Sequence, residues 1–217
     1  MDRVIRKLKE NKIPTGVKAS AALFVASLFT KGLAFITTPI YTRLLSSSDY
    51  GRVSIYYTWM QCFGIIAMFC LSYGVFNCGM VDYPDERDDY SFSVLVLSNI
   101  ITVCFSGILL CLYPLVEHII KLKISYIILM CIMFLFQPAY SFWAARQRYE
   151  LKYKHTFLVS ITSALVSPAI VIVCLLINKN GDKFFTRIFA AEIPLLIMYI
   201  FFYIYLGSRV KFKVKKK

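Results

Sequence analysis

The sequence predicts an all-α polytopic membrane protein, a single bundle of six transmembrane helices, on three observations. The 217 residues are 59% hydrophobic with a mean hydropathy of +0.64. Only 17% are charged, well below the roughly 25% of soluble domains. Successive apolar stretches reach the roughly 20 residues that an α-helix needs to cross about 30 Å of hydrocarbon.

Six spans are expected at about 17–43, 53–78, 91–116, 124–147, 156–178 and 184–206, with a basic tail at 207–217. The first follows the basic segment MDRVIRKLKENKIPTG, which resembles the start of a signal peptide, but its apolar run is too long and lacks a clean cleavage site, so it is expected to be retained. Tyr56, Tyr57 and Trp59 in the second span, Tyr140 and Trp143 in the fourth, and Tyr203 and Tyr205 in the sixth suit interfacial anchors. Pro138, Pro168 and Pro194 lie inside spans, where each removes a backbone hydrogen bond and bends its helix, as a passive bend or as a hinge. No strong repeat relates residues 1–110 to 111–217.

The formal charge of +13 is placed at span ends, as membrane orientation requires, so no nucleic-acid partner is expected. The N-terminal segment, Arg87, the fourth connection and the tail carry seventeen Lys and Arg; the opposite side carries seven. Positively charged short connections stay inside. Both termini are therefore expected in the cytoplasm, with the chain in the inner (plasma) membrane.

The seven cysteines all fall in apolar segments without a CxxC pair, and read as small buried apolar residues. No cofactor or metal is expected. The acidic loop 82–89 places Asp85, Asp88 and Asp89 together, like the Asp-rich magnesium clusters of prenyl-diphosphate enzymes, but the matching second cluster is missing. The connection RQRYELKYK offers only Glu150 among basic residues. A solvated acidic loop is the plainer reading. His118 and His155 complete no hydrolase pattern, and the chain is not expected to be an enzyme.

Polar residues inside the spans are more informative. At about 100° per residue, Ser20, Ser27, Lys31, Thr38 and Thr42 fall within an arc of about 60°. Similar stripes align Ser54, Gln61 and Ser72; Asn99, Thr102 and Ser106; Thr156, Ser160, Ser163 and Ser167; and Glu192, Tyr199 and Tyr203. One stripe per helix suits a lumen, although Ser and Thr stripes also serve close helix packing. Lys31 is too deep to snorkel easily, and an ammonium there costs about 2.5 to 3.5 kcal/mol unless it faces a bundle interior or a wet cavity. Glu192 is also mid-span and is open to three readings: pairing with Lys31, protonation, or binding a coupling cation.

The stretch SLFTKGLAFITTPIYTRLLSSSDYGRVSIYYTWMQ, residues 27–61, resembles the first hairpin of the oligosaccharide flippases of O-antigen, capsule and exopolysaccharide synthesis (Wzx-type), in the superfamily of multidrug, oligosaccharidyl-lipid and polysaccharide exporters. The likeness lies in Pro39, Thr42, Arg43, Leu44 and Leu45, then Asp49, Tyr50 and Gly51, and again in FWAARQRYELKYKH at 142–155. It implies one lobe of a two-lobed flippase that moves undecaprenyl-diphosphate-linked oligosaccharide between membrane leaflets. It further implies that Lys31 meets the diphosphate in the cavity, with Arg43 at the outer mouth and Gln61 and Glu192 lining the wall. Members of that group are about twice as long, so a half-transporter or a truncated fragment is expected, partnered by a second lobe or another copy. Two rival classes stand beside it: a membrane-embedded prenyl-diphosphate enzyme and a non-transporting membrane assembly protein.

Overall fold

A computed structural model of the chain describes residues 15–69, 71, 74–83, 86–150, 152–178 and 181–209. Cys70, Ser72, Asp85, Lys179 and the basic residues before Thr15 and after Arg209 lie outside them. Seven helices account for nearly all described residues: α1 Thr15–Leu44, α2 Ser47–Met68, α3 Val75–Asp82, α4 Arg87–Ile120, α5 Ile124–Tyr149, α6 Tyr153–Ile177 and α7 Lys183–Ser208. Five are long and apolar enough to cross a membrane, namely α1, α4, α5, α6 and α7. The protein is a multi-pass membrane protein.

Local chemistry sets the helix ends. Arg43 sits in the last turn of α1, where a cation complements the helix dipole, and Lys183 Nζ donates to the terminal Leu44 carbonyl at 3.0 Å. Two residues later Ser46 caps α2, accepting from the Asp49 backbone N–H at 3.1 Å, with the Asp49 carboxylate in the first turn. Helix α4 carries Asp88 and Asp89 in its first turn and stops at Lys121, whose left-handed backbone (φ 55°) lets its N–H reach Glu117 O at 2.8 Å. Asp182 caps α7 through Phe185 N at 3.1 Å.

The second expected span does not run unbroken from 53 to 78. It begins earlier, at the Ser46 cap, and stops at Met68, where Phe69 turns left-handed (φ 47°) before the short α3. Tertiary bonds hold this break: the Thr102 hydroxyl donates to the Ala67 carbonyl at 3.0 Å, supplying a partner to the freed end of α2. Helix α3 then lies so close to α4 that a Cβ at Gly79 would fall on the Tyr90 ring, whose hydroxyl donates to Val75 O at 2.8 Å.

Helix α5 is the axis, packed chiefly against α7 and α4, while α6 joins α7 to α1. Helix α1 leans on α6 and barely touches α2. Two apolar clusters stack along α5. One gathers Tyr56, Ile127, Met130, Phe134, Phe184 and Ile188; the other gathers Phe76, Met80, Leu95, Phe142, Trp143 and Phe202. Two of the expected interfacial aromatics are therefore core: Tyr56 is fully buried beside Tyr126, and Trp143 packs on Phe202 at 4.3 Å between ring centres. The cysteines depart from expectation too, since Cys62, Cys78, Cys104 and Cys111 are exposed on the bundle surface and the described cysteines are unpaired.

Candidate transport cleft

The weak contact between α1 and α2 leaves a cleft with α5 and α7 behind it and α6 at its side. Two cavities occupy it, of about 950 Å³ and about 760 Å³. Their linings advance in register along α1, α2, α6 and α7: the larger takes Leu23 to Lys31 of α1 and Thr156 of α6, and the smaller takes Thr37 to Leu45 and Ser163 to Pro168. The cavities are therefore compartments stacked along the helix axes. The larger opens toward Arg148 at the end of α5, and the smaller toward Arg187 at the start of α7. They share Thr30, Tyr57, Gln61, Tyr140, Ser160 and Glu192 at a common waist.

Lys31 lines the Arg148-end compartment on the open side of α1, its side chain exposed to the cleft, and among the described residues it makes no ion pair. Gln61 and Glu192 stand at the waist. Arg43 is exposed at the end of α1 and lines neither compartment; the cation at that end is Arg187, whose guanidinium lies 4.2 Å from the Tyr41 ring centre. Glu192 is 2% exposed and its Oε2 has no hydrogen-bond partner. Its polar neighbours are Tyr57 and Arg187. Among the described residues, three cations and one acid thus line the cleft, an excess of positive charge spread along its length.

The sequence stripes meet different fates. Ser27, Lys31 and Thr38 of α1, Ser54 and Gln61 of α2, and all four hydroxyls of α6 line the cleft. The α4 stripe does not. Asn99 Nδ2 donates to the Tyr203 hydroxyl at 2.8 Å, and Thr102 reaches Ala67 O, so these groups join helices where a lumen-lining stripe was expected. Arg148 and Arg187 counted only toward topology in the sequence. Gln137, Ser141, Ala144 and Arg148, spaced 4, 3 and 4, share one face of α5 and carried a usable signal. Arg187 gave none, since it stands five residues before Glu192, about 140° around the helix, and only its long side chain brings it to the cleft.

Outside the cleft, Arg146 pairs with Asp88 of α4 and, at 2.8 Å, with Glu150; Lys152 bonds the other Glu150 oxygen at 2.5 Å. Burial works against the Glu150 charge, but the hydrogen bonds from Lys152 and Arg146 outweigh it and hold the carboxyl below its ordinary value. Asp88 of the acidic loop is thus engaged by an arginine, and among the described residues no three His, Cys, Asp or Glu side chains stand together as a metal site.

Long apolar helices around a laterally open, cationic cleft define a membrane transporter. The chain belongs to the polysaccharide biosynthesis protein family, whose model matches residues 17–217; it is the family of Wzx-type polysaccharide flippases. No curated protein and no solved structure matches the chain.

Proposed function

We propose that the protein translocates undecaprenyl-diphosphate-linked oligosaccharide units across the inner membrane through the α1–α2 cleft. The observation that carries this reading is the placement of Lys31 without an ion-pair partner in a cleft whose ends hold Arg148 and Arg187. A diphosphate entering a water-poor cleft needs fixed cations to replace its hydration, and spaced cations let it pass from one to the next. An open flank lets the lipid tail stay in the bilayer while the head group travels inside.

Lys31→Ala is expected to abolish display of the polysaccharide while leaving the chain's abundance in the membrane unchanged, because loss of a mid-span charge favours insertion. Lys31→Arg should retain partial display, the charge surviving with altered geometry. Normal display by Lys31→Ala would overturn the reading. Total loss on combining Asp85→Ala with Asp88→Ala, with Lys31→Ala active, would favour the prenyl-diphosphate enzyme.

Helix α2, at 22 residues about 33 Å long, serves in this reading as the sixth span, putting both termini in the cytoplasm. A reporter active only outside the cytoplasm should work when inserted after Gly181 and stay silent after Arg209; the reverse pattern would invert the orientation.

The open side between α1 and α2 is closed by a second bundle, a further lobe or another copy, and rocking of the two would alternate access. Single cysteines at Ser27 and Thr38, in an otherwise cysteine-free chain, should cross-link to that bundle. Active protein that forms no such link would exclude it.

A further inference from the structure

Away from their shared waist, the two compartments differ in the polar groups that line them. Thr37 and Thr38 of α1, Ser54 and Thr58 of α2, and Ser163 of α6 line the Arg187-end compartment from three sides. Each donates its hydroxyl proton to a backbone carbonyl of its own helix, at 2.8 to 3.2 Å. A hydroxyl has one proton and two lone pairs, so with the proton committed the oxygen offers the cleft acceptors only, that of Thr37 being shared with the Tyr41 hydroxyl. A second observation points the same way: Glu192, 2% exposed with its Oε2 unpartnered, stands at the inner end of this compartment, at the waist shared with the other. The Arg148-end compartment alone holds the donors of Lys31, Arg148 and Gln137, while Gln61 and Glu192 stand at the waist common to both.

A wall of acceptors selects a ligand rich in donors. An inorganic cation would fit acceptors alone, but Arg187 stands in the same compartment and repels it. A phosphate would meet Arg187 there, but the hydroxyl wall would offer it no further donors. Uncharged polyols carry many O–H donors, and their own oxygens can still accept from Arg187.

We infer that the Arg187-end compartment is a subsite for the uncharged, polyhydroxylated sugar portion of the ligand, while the anionic portion is held at Lys31 and Arg148. Sugar hydroxyls donate to the Thr37, Thr38, Ser54, Thr58 and Ser163 oxygens and to Glu192. Its volume, about 760 Å³, falls within the range of small-molecule sites. The inference rests on the proposed transport of a lipid-linked oligosaccharide and assigns its two chemical halves to separate parts of the cleft.

The test uses the full chain in lipid nanodiscs and the variant Thr37→Val/Thr38→Val/Thr58→Val, which keeps side-chain shape and removes three acceptors. Maltotriose bearing a diazirine should label peptides of α1, α2 and α6 around the Arg187 end, and labelling of the variant should fall about tenfold for the loss of three hydrogen bonds. In liposomes, transport of a fluorescent undecaprenyl-diphosphate trisaccharide should fall by a similar factor, with bare undecaprenyl diphosphate unaffected. Lys31→Ala should impair both lipids. Absence of maltotriose labelling in the wild-type chain, labelling confined to the Arg148 end, or equal loss of both lipids in the valine variant would overturn the subsite. Labelling that the valine variant loses, in a chain that moves neither lipid, would uphold the subsite and overturn the transport reading.

Discussion

The two sides of this bundle are built from similar residues and solve the same problem differently. The most apolar stretch of α5 is 61% buried among its neighbours, whereas those of α1 and α6 are 11% buried. On the closed side, polar groups of α4 end on other segments: Asn99 on Tyr203 of α7, Thr102 on Ala67 of α2, and Tyr113 on Leu122 in the connection after α4 at 2.9 Å. On the open side the hydroxyls of α1 and α2 turn back to their own backbones, as Thr30 does to Ala26 at 2.9 Å. Water or ligand must complete their bonding. In a membrane an unsatisfied polar group is costly, so a polar stripe either glues helices together or marks a wet surface. The partner decides which, and the stripe alone does not.

The contrast can be broken most forcefully at the edge of the closed side. Arg146→Ala removes the group that ties α4 to α5 and leaves Asp88 and Glu150 without it. The pair is neither fully buried nor free in water, so a loss of about 2 kcal/mol is expected, between the values for exposed and buried pairs. It should be read as a lowered melting temperature in detergent. Because the Glu150 carboxyl is held below its ordinary value, its contribution is present at neutral pH and disappears as pH falls through that lowered value. Arg146→Ala should therefore flatten the acid limb of the stability profile. An unchanged acid limb would show that the network contributes nothing.

A smaller effect is expected within the packed helices. Asn99→Leu or Thr102→Val removes an interhelical bond and should lower stability by about 0.6 to 1.7 kcal/mol without changing transport per folded molecule. Loss of transport at full stability would move the α4 stripe to the functional side. The smallest effect belongs to Ser163→Ala on the open wall, expected within about 0.5 kcal/mol of the parent in stability because no other helix depends on that hydroxyl. A large loss there would erase the distinction between the two sides.

Much of the architecture is local, and so legible along the chain. Apolar length dictates five of the long helices, since a helix is the one open-ended structure that satisfies its own backbone in lipid. The cap Ser46 with Asp49 is equally local, although the apolar pattern alone set the start of that span at 53, several residues too late. The spacing of Ser27, Lys31 and Thr38 puts them on one face of α1, and the depth of Lys31 requires that face to find water or a partner; the cleft is where it lies.

Other features rest on contacts between distant segments. The break after Met68 depends on Thr102, thirty-five residues away, and on the close passage of Gly79 over Tyr90. Which stripes face the cleft was settled by α1 packing on α6 rather than α2, which opened one side of the bundle and left the α4 stripe enclosed. Arg187 and Arg148 became part of the cleft only because helix ends from opposite directions of the chain converge on it. Periodicity orients a residue about its own helix axis, and only the neighbouring helices determine whether that direction leads to protein, lipid or water.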